Sequence, residues 1–194
     1  MKKYFFWAFL LAFSGVWAQE HNVTEPDMPA HPGPVKWMSF EQAVEKSKTE
    51  KRKIFIDVYT DWCGWCKVMD KNTFSEAQVA KILNEKFYPV KLDAEQTADI
   101  QFQGNTFKFV PYGNKGTHQL AMALLNNQMS YPTVVFLDED FRMIQPLAGY
   151  QKVEEFHKII TFIGEDHYKK MKWSDWQGVY KSPYPPGGNG AGGH

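Results

Sequence analysis

Cys63 and Cys66 are the whole thiol content of this 194-residue chain. They stand three positions apart in the run Thr60-Asp61-Trp62-Cys63-Gly64-Trp65-Cys66-Lys67. Two thiols at that spacing have three chemical uses: a small structural clasp, half of a metal site, or a dithiol that opens and closes. A clasp closing so short a loop removes little entropy from the unfolded chain and stabilises weakly. A metal site needs more ligands, and the candidates His118, His157 and His167 lack the close pairing of a zinc set. A copper-binding or metal-delivery module built on the two cysteines remains the alternative. A c-type haem site would need His after Cys66, where Lys67 stands.

The dithiol use has a physical logic if a helix begins between the cysteines. The first sulfur then lies beside unpaired N–H groups at the positive end of the helix dipole, and its thiolate is favoured. The second sulfur, one turn inside, is sheltered. The first can attack a disulfide and form a mixed disulfide, and the second can resolve it intramolecularly.

The surrounding sequence supplies suitable elements. Ser39 opens a helix, with Gln42 completing a capping box. Lys53-Ile54-Phe55-Ile56-Asp57-Val58-Tyr59 reads as a buried strand that delivers the cysteines at its C-terminal end, and a helix runs on towards Asn72. Ser75 and Gln78 mark a second capping box, followed by Val79, Ile82, Leu83 and Phe87 at helical spacing. Residues 87–92 read as another strand. Residues 94–116 read as a long loop with its own apolar anchors, followed by a helix from about Thr117 to Asn126. Thr133-Val134-Val135-Phe136-Leu137 forms a hairpin with residues 142–147, and residues 152–163 form an amphipathic helix. Beyond it lie Tyr168, Trp173, Trp176 and Tyr180, then a Pro/Gly-rich end for which disorder is expected.

Taken in order, these residues resemble the thioredoxin superfamily. The resemblance is carried by the strand at 54–59, by Trp62-Cys63-Gly64-Trp65-Cys66-Lys67, by Val90-Lys91-Leu92-Asp93, by Tyr131-Pro132-Thr133 and by Gly149, and it spans roughly residues 39–163. The pattern is similar to secreted bacterial thioredoxin-like disulfide-interchange domains. It implies an α/β, thioredoxin-like fold: a central mixed sheet flanked by helices, with an insertion before a cis-proline and a C-terminal extension. It also implies a thiol–disulfide oxidoreductase with no cofactor. Cys63 would be the nucleophile, Cys66 the resolving thiol, and Asp57 a buried carboxylate that exchanges the resolving thiol's proton. Trp62, Gly64, Trp65, Tyr131 and Pro132 would meet the substrate, and Lys67 and Lys91 would tune the site. Trp65 stands where the common motif has Pro, and neither residue between the cysteines is His, which the strongly oxidising relatives tend to carry. The residues between the cysteines tune the dithiol potential, so Trp65 leaves the reducing strength open, whereas the missing His favours reduction or isomerisation.

The chain's ends and charge complete the expectation. Lys2 and Lys3 precede an apolar run at 4–13, and Val16-Trp17-Ala18 follows, the three-part pattern of a secretory signal peptide. The run is too short for a comfortable membrane span. The expected organisation is a signal peptide at 1–18, a flexible leader at 19–38, the thioredoxin-like domain at 39–167 and a tail at 168–194. The expected location is periplasmic or secreted, where disulfides persist. Partners would be disulfide-containing exported proteins, with a membrane thiol reductase as electron donor. With 22 basic and 22 acidic residues, the chain has no basic footprint for nucleic acid.

Overall fold

The computed structural model describes residues 34–184. The expected signal peptide, most of the leader and the Pro/Gly-rich end from residue 185 lie outside the described residues.

The central element is β1 (Lys53–Tyr59), whose first six residues are buried. A run without polar alternation suits a strand covered on both faces, and the sheet is built around it. β1 pairs in parallel with β2 (Phe87–Asp93) and antiparallel with β7 (Thr133–Leu137). β7 in turn pairs antiparallel with β8 (Met143–Ala148), giving the order β2-β1-β7-β8. Strand alternation sends Ile54, Ile56 and Val58 into one apolar layer and Phe55 into the other.

The first layer is covered by α1 (Phe40–Ser47) and α4 (Gln119–Leu124). The second is covered by α3 (Ala77–Lys86), α5 (Val153–Gly164) and the end of α2 (Gly64–Met69). Phe55 touches Phe74, Phe87, Phe136 and Phe156 at ring-centroid separations of 5.5–6.4 Å. This aromatic cluster fixes the sheet against the helices on that side. The result is the expected mixed sheet flanked by helices.

Four local readings are corrected. The leader ends before residue 35: Val35 is buried, Trp37 packs on Phe55 and Phe74, and Met38 bridges Val90 in parallel alongside β2. The Ser39–Gln42 capping box forms, but the one read at Ser75–Gln78 does not. The chain continues from α2 into a π-turn (Asp70–Phe74), so the Ser75 hydroxyl donates back to the Lys71 carbonyl and α3 starts one residue later. The segment read as a long loop holds two hairpins: β3 (Ile100–Phe102) with β4 (Asn105–Phe107), and β5 (Phe109–Tyr112) with β6 (Lys115–His118). Thr117 and His118 therefore belong to a strand, and α4 begins at Gln119, with the His118 imidazole accepting the Leu120 N–H as its cap. In the C-terminal extension, α6 (Trp173–Val179) packs Trp176 against α5, and the Trp176 indole donates to the Lys158 carbonyl.

Candidate active site

β1 ends at Tyr59, and a turn closed by Cys63 N–H to the Thr60 carbonyl delivers the first cysteine to the start of α2. Cys63 is the N-cap of that helix. Its Sγ accepts the Cys66 backbone N–H at 3.1 Å, in the place a Ser or Asp oxygen would take. The two sulfurs are joined in a disulfide. The expected contrast between an open and a sheltered sulfur is not present in this oxidised state. Cys63 is 5% exposed and Cys66 3%, because the bond holds both sulfurs together at the first turn of the helix. The space over Gly64 is open, with nothing within 4 Å of where a Cβ would stand.

Aromatic side chains flank the disulfide on both sides. Trp62 and Trp65 are 64% and 62% exposed, far from the usual state of such large apolar groups. Trp62 meets the ring of Tyr131 edge-on at 5.9 Å, and Trp65 leans on Tyr150 at 5.5 Å. Tyr131 precedes Pro132 through a cis peptide bond at the entrance to β7, and the Pro132 carbonyl accepts the Gly149 N–H. Those contacts bring Tyr131, Pro132, Gly149 and Tyr150 to the same end of the sheet as the cysteines. Thr73 donates to the Gln151 carbonyl at 2.7 Å and ties the π-turn to the Tyr150 loop. Lys67 is exposed and makes no side-chain hydrogen bond among the described residues.

Beside the C-terminal end of α2 lies an ion pair set by strand register. Asp57 and Lys91 are direct partners in the parallel β1–β2 ladder, so their side chains leave the same face. The Asp57 carboxyl is 1% exposed, and the Lys91 ammonium donates to its Oδ2 at 2.6 Å. Its other oxygen, Oδ1, is buried with no hydrogen-bond partner among the described residues. Burial pushes the Asp57 carboxyl up to about 6, against the pull of Lys91. Burial alone would lower the Lys91 ammonium, but Asp57 and Asp70 outweigh it and hold it above its usual value. Lys91 also sits over the rings of Trp37, Tyr59 and Phe74 at 4.9–5.6 Å, favourable cation–π positions.

Three participants escaped the sequence reading. Asp70 gives Lys91 a second carboxylate at 2.5 Å; the legible signal was its place one turn after Cys66. Tyr150 follows Gly149, a position quoted for its glycine alone. Glu95 accepts from the Trp62 indole at 3.1 Å. It lies two residues past Asp93, which pairs with Tyr59 across the ladder, so strand register was the available signal.

The three histidines weighed as metal ligands are engaged apart from the cysteines. His118 bridges Leu120 and the Ala98 carbonyl, His157 pairs with the Tyr180 hydroxyl, and His167 stacks on Trp176. Among the described residues, no group of three or more His, Cys, Asp or Glu side chains is arranged to hold a metal ion.

Residues 28–172 match the family model Thioredox_DsbH, described as a protein of unknown function, DUF255. The chain is 30% identical over 149 residues to the thiol:disulfide interchange protein DsbD of Colwellia psychrerythraea, covering 75% of this chain and 22% of that protein. It is 33% identical over 75 residues to mouse spermatogenesis-associated protein 20, covering 38% of this chain and 10% of that one. The chain thus spans under a quarter of the length of either relative. Among solved structures, a thioredoxin-fold protein from Helicobacter pylori superposes with a TM-score of 0.50 at 16% identity, over 75% of this chain and 83% of that one. That likeness concerns the fold.

Proposed function

The chain belongs to the Thioredox_DsbH (DUF255) family and has a thioredoxin-like fold, and from that premise we propose that it is a thiol–disulfide oxidoreductase that reduces or isomerises disulfides of exported proteins. The observation that carries this reading is the Cys63–Cys66 disulfide at an aromatic-flanked edge, reached from a strand that holds a buried carboxylate with one unpartnered oxygen.

In the reducing direction, the reduced Cys63 thiolate attacks one sulfur of a client disulfide. A bond forms between Cys63 Sγ and that sulfur, the client S–S bond breaks, and the departing client thiolate takes a proton. Cys66 passes its thiol proton to Asp57, and its thiolate attacks Cys63 Sγ. The mixed disulfide breaks, the Cys63–Cys66 disulfide forms, and the second client thiolate leaves and is protonated. The client gains two electrons and two protons; the protein gives up both electrons and, through Asp57, the Cys66 proton, and the second proton comes from solvent, to which Cys63 had already released its own on ionising. A dithiol donor, by class a membrane thiol reductase, must then reduce Cys63–Cys66 again. In isomerisation the client's own thiol resolves the mixed disulfide, and the dithiol returns unchanged.

Each group has a part in this scheme. The Cys66 N–H aimed at Cys63 Sγ stabilises negative charge on the attacking sulfur. Asp57, raised to about 6, is matched to accepting and returning a proton near neutral pH. Trp62, Trp65 and Tyr131 offer flat apolar surface to the client beside the sulfurs. The reading of residues 1–18 as a signal peptide supports a periplasmic or secreted location.

Equilibrating the pair against glutathione buffers tests the direction. A potential between about −180 and −270 mV, the span from protein disulfide isomerase to thioredoxin, fits reduction or isomerisation. A value near about −120 mV, that of a strong oxidant, contradicts it.

A further inference from the structure

The insertion between β2 and β7 builds a groove that adjoins the dithiol. Its volume is about 720 Å³, and its walls include Trp62 and Glu95 on one side and Phe109, Pro111, Lys115 and Gly116 of the β5–β6 hairpin on the other. Trp62 is shared between this groove and the aromatic surround of the disulfide, which sets the groove beside the candidate site.

The groove is shaped by a specific packing choice. Phe109 and Gly116 are diagonal neighbours across the hairpin, and the Phe109 ring lies flat over the Gly116 backbone. A Cβ at Gly116 would stand 2.0 Å from Cζ of that ring. Only a residue without a side chain lets the ring fold down and leave the space open. The base of the hairpin is held firmly. The His118 N–H donates to the Ala94 carbonyl at 2.7 Å, and the Gln119 N–H to the Lys108 carbonyl at 2.8 Å. The buried His118 ring ties the same point to Ala98. The groove is therefore preformed, and a ligand need not order it.

Its electrostatics are asymmetric. Asp61, Asp93 and Glu95 gather at the Trp62 end. Burial raises the Asp93 carboxyl, the Glu95 N–H that donates to it pulls the other way, and the charges of Asp61 and Glu95 add to the rise. None of the three makes an ion pair among the described residues. A cation arriving beside Trp62 would relieve that repulsion.

We propose that this groove is a specificity site for an extended client segment next to the disulfide, one carrying a large apolar side chain beside a basic one. The apolar side chain seats against Trp62, Phe109 and Pro111, and the basic one faces Glu95 and its neighbouring carboxylates. This rests on the dithiol reading above and names the substrate class of that site.

The test uses the full chain, reduced, and three disulfides: a small aromatic disulfide that needs no groove, a peptide disulfide with Phe-Lys beside its cysteine, and a matched one with Ser-Glu. Wild type is expected to show a KM at least fivefold lower for the Phe-Lys peptide than for the Ser-Glu peptide. Gly116→Ala lifts the Phe109 ring, and Phe109→Ala removes it. Each should raise the Phe-Lys KM at least fivefold, with kcat and the small-disulfide rate within twofold of wild type. Either variant suffices if the other does not fold. Equal KM values for the two peptides, or variants that keep the wild-type preference while the small disulfide is reduced normally, would overturn this proposal alone. A wild type inactive on all three disulfides would overturn the dithiol reading and this site with it.

Discussion

Asp57 and Lys91 face each other across the parallel β1–β2 ladder, carboxylate to ammonium at 2.6 Å, with the carboxylate sealed from solvent. The pair makes Asp57 a group whose charge is tolerated only through its partner, and its proton affinity differs between the folded and unfolded chain. Its folded value, about 6, lies above the ordinary 3.8. The contribution this gives to stability is fully present below the unfolded value and is lost as pH rises through about 6.

Asp57→Asn, which imitates the protonated form, should therefore match wild-type stability near pH 4. It should exceed wild type above pH 7, by as much as ~3 kcal/mol for a shift of about two units. Denaturant unfolding at pH 4, 6 and 8 checks this, and a difference that does not change with pH contradicts it. The same variant should slow disulfide exchange about 100-fold, the low end for loss of a positioned proton acceptor.

Lys91→Met should have the opposite effect on stability. It leaves the Asp57 carboxylate buried without its cation and Asp70 without its partner. A loss of about 3 kcal/mol at pH 8 is expected, shrinking at acid pH as Asp57 takes up a proton. If Asp57 takes the Cys66 proton, exchange has a pH–rate limb set by its titration, and in this variant that limb should move to higher pH. A limb that stays in place would separate Asp57 from the reaction.

Cys66→Ser should accumulate clients as mixed disulfides on Cys63, whereas Cys63→Ser should accumulate none. The order follows from Cys63 holding the N-cap position, with an N–H aimed at its sulfur. Non-reducing gels of the two variants expressed with exported proteins read this directly. Equal trapping by both would reverse or dissolve the assignment.

Trp65→Ala should barely change stability, within about 0.5 kcal/mol, because the ring is largely in solvent. It should raise KM for protein disulfides several-fold with kcat within twofold, since its ring extends the apolar surface only on the client's side. An unchanged KM would make Trp65 a bystander.

The parts legible in the sequence are those whose signal is local or set by one strand pairing. The CxxC, its strand and the helix after it are contiguous, so their geometry follows from neighbouring residues alone. Asp57 and Lys91 were legible as members of two strong apolar strands, and register did the rest. Glu95 was harder to read: register sets Tyr59 beside Asp93, but the Trp62–Glu95 contact forms past the ends of the two strands. The hairpins at 100–118 were hidden by their brevity: strands of three and four residues are too short to carry a period. Val35–Met38 was masked by Pro32 and Pro34, although Val35 and Trp37 alternate as a strand edge does. The missed Ser75–Gln78 cap shows the limit of local rules, since continuation of the preceding helix into a π-turn took the serine for its own end.

The central claim is that Cys63 and Cys66 carry electrons to protein disulfides. The most direct measurement is the reduction of insulin by dithiothreitol, with the full-length protein present in catalytic amount. The account predicts marked acceleration by wild type, and no acceleration above dithiothreitol alone by the Cys63→Ser or Cys66→Ser variants. A wild-type rate equal to that of dithiothreitol alone, or acceleration that survives loss of both cysteines, would contradict it.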